Sequence, residues 1–98
     1  MAKTKMTIIP CLVSPGMFST EFQIVIRLPG GKEIDALVDH ESVRVEKRPT
    51  PGHSVDGFVN VFLVHYDKKT GQALVDLPQG SFSKGARIRV PSEMVKAA

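Results

Sequence analysis

The sequence predicts an all-β domain, a small antiparallel β-barrel or sandwich of about six strands. Residues 22–28 and 33–38 alternate apolar and polar side chains with a period of two, which is typical of strands with one buried face. Residues 58–66 are rich in β-branched and aromatic side chains, and no ten-residue window repeats apolar residues at helical spacing. With so little helix to cover a sheet, the strands must close on one another to bury a face.

The first strand is expected over residues 6–13, after a basic tail at residues 1–5 that we expect to be flexible. Pro10 lies inside this strand and has no N–H to donate to a ladder. We therefore expect Pro10 at a sheet edge or a bulge.

A hairpin follows, formed by residues 22–28 and 33–38 around the turn sequence Pro-Gly-Gly-Lys at 29–32. Alternation divides each strand into a core face and a wet face. The positions expected to face inward are Phe22, Ile24, Ile26, Leu28, Ile34, Ala36 and Val38.

Residues 39–42 are expected to form one helical turn before a short apolar segment at 43–45. The chain then enters residues 46–57, its longest polar segment, which holds two prolines and two glycines. Twelve residues is near the upper end for a structureless loop in a compact domain. We therefore interpret this segment as a loop that is either functional or mobile.

Residues 58–66 and 73–77 predict the central hairpin, with Gly71 suited to the left-handed position of its turn. In residues 58–66, apolar side chains occupy both the odd and the even positions, which favours a strand covered on both faces. We therefore expect Phe58 and Phe62 to be internal.

The last strand is expected over residues 86–90, with Ile88 and Val90 facing inward and Arg87 and Arg89 outward. Residues 92–95 have the composition of a terminal helical turn. We expect at most such short helical turns in the whole domain, which spans residues 6–98.

The composition fits a protein of the cytoplasm. Cys11 is the single cysteine among 98 residues, so an internal disulfide is impossible and the usage fits a reducing compartment. The early apolar run is too short and too polar for a membrane span, and we expect no membrane contact. A net charge of +3 permits an anionic partner without demanding one.

Catalytic, metal and cofactor motifs are missing from the sequence. His40, His53 and His65 are twelve or more positions apart, so no local histidine pair can ligate a metal. Cys11 is expected to be a small buried apolar group, and His65 a strand residue with its tip in solvent. We therefore predict a non-enzyme without a cofactor; a small hydrolase that uses Cys11 with a histidine base is the third-ranked hypothesis.

Cationic side chains are the strongest functional signal. On a strand with a rise of about 3.4 Å per residue, Arg87 and Arg89 start roughly 7 Å apart on one face, a workable spacing for an extended polyanion. The predicted binding residues are Arg87, Arg89, Lys84, Lys68 and Lys69. The first hypothesis is a non-catalytic binding module for an anionic partner, either nucleic acid or an acidic protein surface.

A structural or assembly subunit is the alternative hypothesis. Such a protein would form a homo-oligomer through an exposed strand edge or through the loop at 46–57. Charges on a last strand also have a simpler role, because they deter edge-to-edge pairing. In either case the expected architecture has the complexity of SH3-like or OB-like domains.

Overall fold

The computed structural model describes residues 5–16, 18–78 and 87–97. Within these ranges the chain is nearly all β, without an α-helix and with three short 3₁₀ turns, and its antiparallel sheet forms a half-barrel. The strands are β1 (Lys5–Pro15), β2 (Glu21–Arg27), β3 (Glu33–Asp39), β4 (Val43–Val45), β5 (Val55–Asp67), β6 (Gln72–Asp76), β7 (Arg87–Pro91) and β8 (Lys96–Ala97). The prediction of a small all-β antiparallel fold is confirmed.

Six strands form the main path of the sheet, in the order β3-β2-β1-β5-β6-β7, while β4 pairs with β5 and β8 pairs with β1. The β1–β5 ladder is the longest, running from Lys5 opposite Leu63 to Val13 opposite Val55. Residues 1–4 of the expected tail lie outside the described residues, and β1 begins at Lys5. The core of the fold is therefore organised around β1 and β5.

The hairpin of β2 and β3 has the faces that its alternation predicts. Ile24, Ile26 and Val38 are completely buried, whereas Gln23 and Asp35 on the opposite face are exposed. The turn between the strands is a 3₁₀ turn at Pro29–Gly31. Short 3₁₀ turns also occupy His40–Ser42 and Ser92–Met94, where the sequence predicts single helical turns.

One face of the sheet, called the inner face here, carries the hydrophobic core. Each buried position on β1 is aligned with a buried position on a neighbouring strand, such as Val13 with Ile24 and Ile9 with Val59. The completely buried side chains of this face are Ile9, Val13, Ile24, Ile26, Val38, Val59, Val61, Val75 and Val90.

The opposite face, called the outer face here, is only partly covered by the described residues, and this corrects the expectation that β5 is buried on both sides. Phe62 is 39% exposed and Phe58 is only partly buried. A half-barrel has a single layer, so apolar residues of both parities on β5 cannot all reach its core. By strand register, the outer face carries Met6, Ile8, Pro10, Leu12, Phe58, Asn60, Phe62, Leu74, Asp76, Arg87 and Arg89.

The polar loop is shorter than its composition indicates, because β5 begins at Val55 and the loop ends at Ser54. Gly57 belongs to the strand, where it is paired with both Cys11 and Val45. A Cβ atom at Gly57 would lie 2.7 Å from the carbonyl oxygen of Arg44 and 2.9 Å from Val13 Cγ2. The glycine therefore permits close packing of three strands and does not mark a loop.

Pro10 occupies a gap in the ladders of β1. On the side away from β5, β1 pairs with β8 at residues 7–8 and with β2 at residues 12–15. The registers assign no strand partner on that side to residues 9–11. A proline is tolerated there because the sheet is locally interrupted.

Candidate functional site

The two arginines of the last strand lie on the outer face, as predicted. Arg87 and Arg89 are exposed, whereas on the inner face of the same strand Val90 is completely buried and Ile88 is partly buried against the core. β7 pairs with β6 through a five-residue register, from Gln72 opposite Pro91 to Asp76 opposite Arg87. The strand therefore holds both guanidinium groups on one surface.

Arg87 is engaged by Asp76 on the neighbouring strand. Its Nε donates to Oδ1 of Asp76 at 2.8 Å, and its Nη2 donates to Oδ2 at 3.3 Å. These hydrogen bonds lower the pKa of Asp76 and raise the pKa of Arg87 from their ordinary values. Arg89 has neither a hydrogen bond nor an ion pair with another described residue, so its charge is the more available of the two.

Lys68 and Lys69 lie at the tip of the β5–β6 hairpin, beyond the Pro91 end of β7. The turn is fixed by Asp67, whose carboxylate accepts hydrogen bonds from the backbone N–H groups of Lys69 at 3.0 Å and Thr70 at 3.4 Å. The hydrogen bond from Lys69 is the main cause that lowers the pKa of Asp67. Arg87 lies at the other end of β7, so the predicted cations form an extended line, not a cluster. Lys84 lies outside the described residues.

Phe62 is the residue that sequence reasoning missed. It occupies a row across the outer face in which Met6, Phe62, Asp76 and Arg87 stand opposite one another on four successive strands. Met6 and Phe62 are both substantially exposed. The alternate apolar residues of β5 indicated a second apolar face, but they did not reveal that the described residues leave part of this face exposed.

Phe58 and Asn60 extend the same surface along β5. Lys96 on β8 places its Nζ 5.8 Å from the centroid of the Phe58 ring, within the range of a cation–π contact. Asn60 lies between the two phenylalanines, and its Nδ2 donates to the carbonyl oxygen of Glu41 at 3.5 Å. Its Oδ1 is buried and has no hydrogen-bond partner in the described structure. Along β5, Phe58, Asn60 and Phe62, called the aromatic row here, thus combine two rings with an unused hydrogen-bond acceptor.

A groove of about 510 Å³ adjoins Phe58 at the β4 side of the sheet. Its walls include Arg44, Glu46 and Asp56, so both signs of charge are present, and Pro10 forms part of its apolar lining. The groove is large enough for a small molecule or a flexible side chain of a partner. It continues the outer face beyond the aromatic row.

The geometry gives little support to a Cys11 nucleophile or to a metal site. Cys11 is buried, and desolvation raises the pKa of its thiol to about 12, which disfavours the nucleophilic thiolate. This agrees with the expected buried apolar role, and His65 is solvent-exposed as expected. Across residues 5–16, 18–78 and 87–97, His, Cys, Asp and Glu form no group of three or more that could hold a metal ion.

Comparison with protein-family models, curated proteins and solved structures finds no match to this chain. No helix in the part of the chain that the structure describes is long and apolar enough to span a membrane.

Proposed function

We propose that this protein is a non-catalytic binding module whose outer face binds an anionic partner, and that the partner is single-stranded nucleic acid. The observation that carries the proposal is the exposed ring of Phe62 in one row with Arg87, with Arg89 two residues further along β7 on the same face. Surfaces that bind single strands without strong sequence preference combine aromatic rings, on which bases stack, with cations along the backbone path.

The distance between Phe62 and Arg87 suits simultaneous contacts with a base and with a phosphate. Phe62 and Arg87 are separated by β6 alone, so their backbones are about 10 Å apart at a strand spacing of about 4.8 Å. Both side chains project from the same face, and the long arginine side chain can reach toward the ring. A base on Phe62 would therefore bring its own or the next phosphate near Arg87 or Arg89.

Phe58 offers a second stacking position four residues along β5, about 13 Å from Phe62 along the strand. Asn60 between them has an unused amide oxygen that can accept a hydrogen bond from a base amino group after a small rearrangement. An acidic protein surface would need only the arginines, whereas the bases of a single strand would also use the rings and the amide. The aromatic row therefore favours nucleic acid over an acidic protein.

The test is fluorescence anisotropy with labelled single-stranded oligonucleotides at about 50 mM salt, where phosphate contacts are weakly screened. A duplex of the same length and a polyglutamate peptide serve as competing partner classes. We expect single strands to bind most tightly and Arg89→Ala to weaken binding. Lys32→Ala is the matched control, since it removes an equal exposed charge from the β2–β3 turn.

Three outcomes would overturn the proposal. Absence of binding to every oligonucleotide would exclude nucleic acid, and equal losses for Arg89→Ala and Lys32→Ala would show that only net charge matters. Preference for polyglutamate would transfer the proposal to an acidic protein partner. The salt dependence gives a further check, because each lost phosphate contact lowers the slope of log affinity against log salt by about 0.7 for single strands.

An assembly subunit is the second candidate function. It is favoured by exposed apolar side chains on Met6, Phe62 and Val64 and by β7, which has a strand partner on only one side among the described residues. A second copy could cover this apolar surface or extend the sheet at β7. A molecular mass that rises with concentration in light scattering, together with no nucleic-acid binding, would select this candidate.

A further inference from the structure

A separate cavity of about 250 Å³ lies where β2 begins and β3 ends. It is lined by Glu21 and Phe22 from the start of β2, by His40 just after β3, by Phe18 from the preceding turn, and by Arg48 from the polar loop. None of these residues belongs to the outer-face row. The volume is just below the usual range for drug-sized ligands, so the cavity suits a small molecule.

Glu21 makes this cavity chemically unusual. The residue is only 2% exposed, and its Oε2 is buried with no hydrogen-bond partner in the described structure. The backbone around it is fixed, because Gly16 N–H donates to the carbonyl oxygen of Glu21 at 3.2 Å and Glu21 N–H donates to that of Phe18 at 3.1 Å. An unpaired buried carboxylate oxygen costs free energy, which a donor from outside the chain can recover.

The rest of the lining includes three aromatic rings and one cation. Phe22 and His40 are stacked, with ring centroids 3.9 Å apart and planes inclined by 20°. Phe18 is 50% exposed and stands at the same cavity. Arg48 is exposed and has no ion-pair partner among the described residues. The cavity thus has a buried acceptor behind its wall, apolar surface along its lining and a positive charge from the loop.

We propose that this cavity binds a small zwitterion of amino-acid type, with its ammonium group on Glu21 and its carboxylate on Arg48. A simple cation would satisfy Glu21 but would be repelled by Arg48, and a simple anion would leave Oε2 unpaired. A molecule with both charges and a short apolar side chain complements all three features. Because Oε2 is shielded from solvent, a wall residue must move aside for the ammonium group to reach it.

Isothermal titration calorimetry and thermal unfolding of the full chain test this assignment with three probes: leucine, leucinamide, which lacks the carboxylate, and N-acetylleucine, which lacks the ammonium group. Leucine should bind and should raise the unfolding temperature in a concentration-dependent manner. Each analogue should bind about tenfold more weakly or worse, since each loses one charge-assisted hydrogen bond. Glu21→Gln and Arg48→Ala should reduce leucine affinity by similar factors.

Glu33→Gln is the matched control for Glu21→Gln, because Glu33 is an exposed carboxylate on β3. Arg48→Ala changes an exposed loop residue, so it should remain folded even if Glu21→Gln does not. The proposal is overturned if leucine produces neither heat nor a temperature shift with the wild-type protein. It is also overturned if leucinamide binds as well as leucine, or if both cavity variants keep wild-type affinity.

Discussion

Arg87 and Asp76 form a two-point ion pair between adjacent strands on the outer face, whereas Arg89, two residues further along β7, has no ion-pair partner in the described structure. The two arginines look equivalent in the sequence, yet their surroundings differ. Asp76 competes with any anionic ligand for Arg87 and presents no such competition at Arg89. The pair therefore predicts a pH response and, for the proposed anionic ligand, unequal contributions of the two arginines to binding.

The pH response is the first prediction. The pKa of Asp76 is lowered in the folded state relative to an unfolded value near 3.9, so the pair stabilises the protein above about pH 4. That contribution is lost as the pH falls through the lower, folded-state pKa. Asp67 behaves alike, because hydrogen bonds from its own turn also lower its pKa.

We therefore expect Asp76→Asn and Asp67→Asn to be less stable than the wild type at pH 7. Their free energy of unfolding should then fall less than that of the wild type when the pH is lowered. Urea unfolding at pH 7 and pH 3 measures both effects. Asp35→Asn is the control, since its exposed carboxylate makes no hydrogen bond with the described residues. If the free energy of unfolding of both variants falls between pH 7 and pH 3 by as much as that of the wild type, the hydrogen bonds do not persist in solution.

Release of Arg87 is the second prediction. Asp76→Asn removes the competing charge while keeping the shape of the side chain, so Arg87 becomes available to a phosphate. Affinity for single strands should increase, and the slope of log affinity against log salt should steepen by about 0.7. Arg87→Ala alone should cost less affinity than Arg89→Ala. The reverse order would show that ligand displaces Asp76 without cost.

Phe62 provides the third prediction. Phe62→Ala should reduce affinity for single-stranded nucleic acid by about 1–3 kcal/mol, the usual contribution of one stacked base. Because the ring is 39% exposed, its truncation should destabilise the fold by less than the 3–5 kcal/mol typical of a fully buried phenylalanine. Anisotropy and urea unfolding separate the two effects. Val64→Ala, an exposed apolar position on the same strand, should leave affinity unchanged.

Local patterns predicted the hairpin of β2 and β3 accurately, and the reason is physical. Its strands bury mainly one face, so alternation predicts the buried face directly, and Ile24 and Asp35 lie on the sides that their polarity indicates. The exposure of β5 could not be predicted in this way, because Phe58 and Phe62 are apolar residues on a face that the described residues cover only in part. Composition alone cannot distinguish a face buried by the chain from one left for a partner.

The proposed binding surface could likewise be predicted only in part. The outward position of Arg89 follows from alternation along one strand. The contact between Arg87 and Asp76 and the row that joins Phe62 to Arg87 depend on the registers of three strands. A one-residue slip in any register would break that row, and no local sequence signal fixes the β6–β7 register. Glu21 was missed because it stands at an outward position of its strand and is nevertheless buried.

Gly57 gives the last prediction, which concerns the start of β5. Gly57→Ala would place a Cβ atom 2.7 Å from both the carbonyl oxygen of Arg44 and Cγ1 of Val45, so backbone must move to accept it. Overpacking of this kind typically costs about 1–3 kcal/mol of unfolding free energy. Urea unfolding of the variant and the wild type would measure this loss. Asp56→Ala changes the adjacent, exposed position and should stay within about 0.5 kcal/mol of the wild type. A glycine in an open polar loop would accept alanine without such a loss, so equal stabilities for Gly57→Ala and the wild type would return residues 55–57 to the loop.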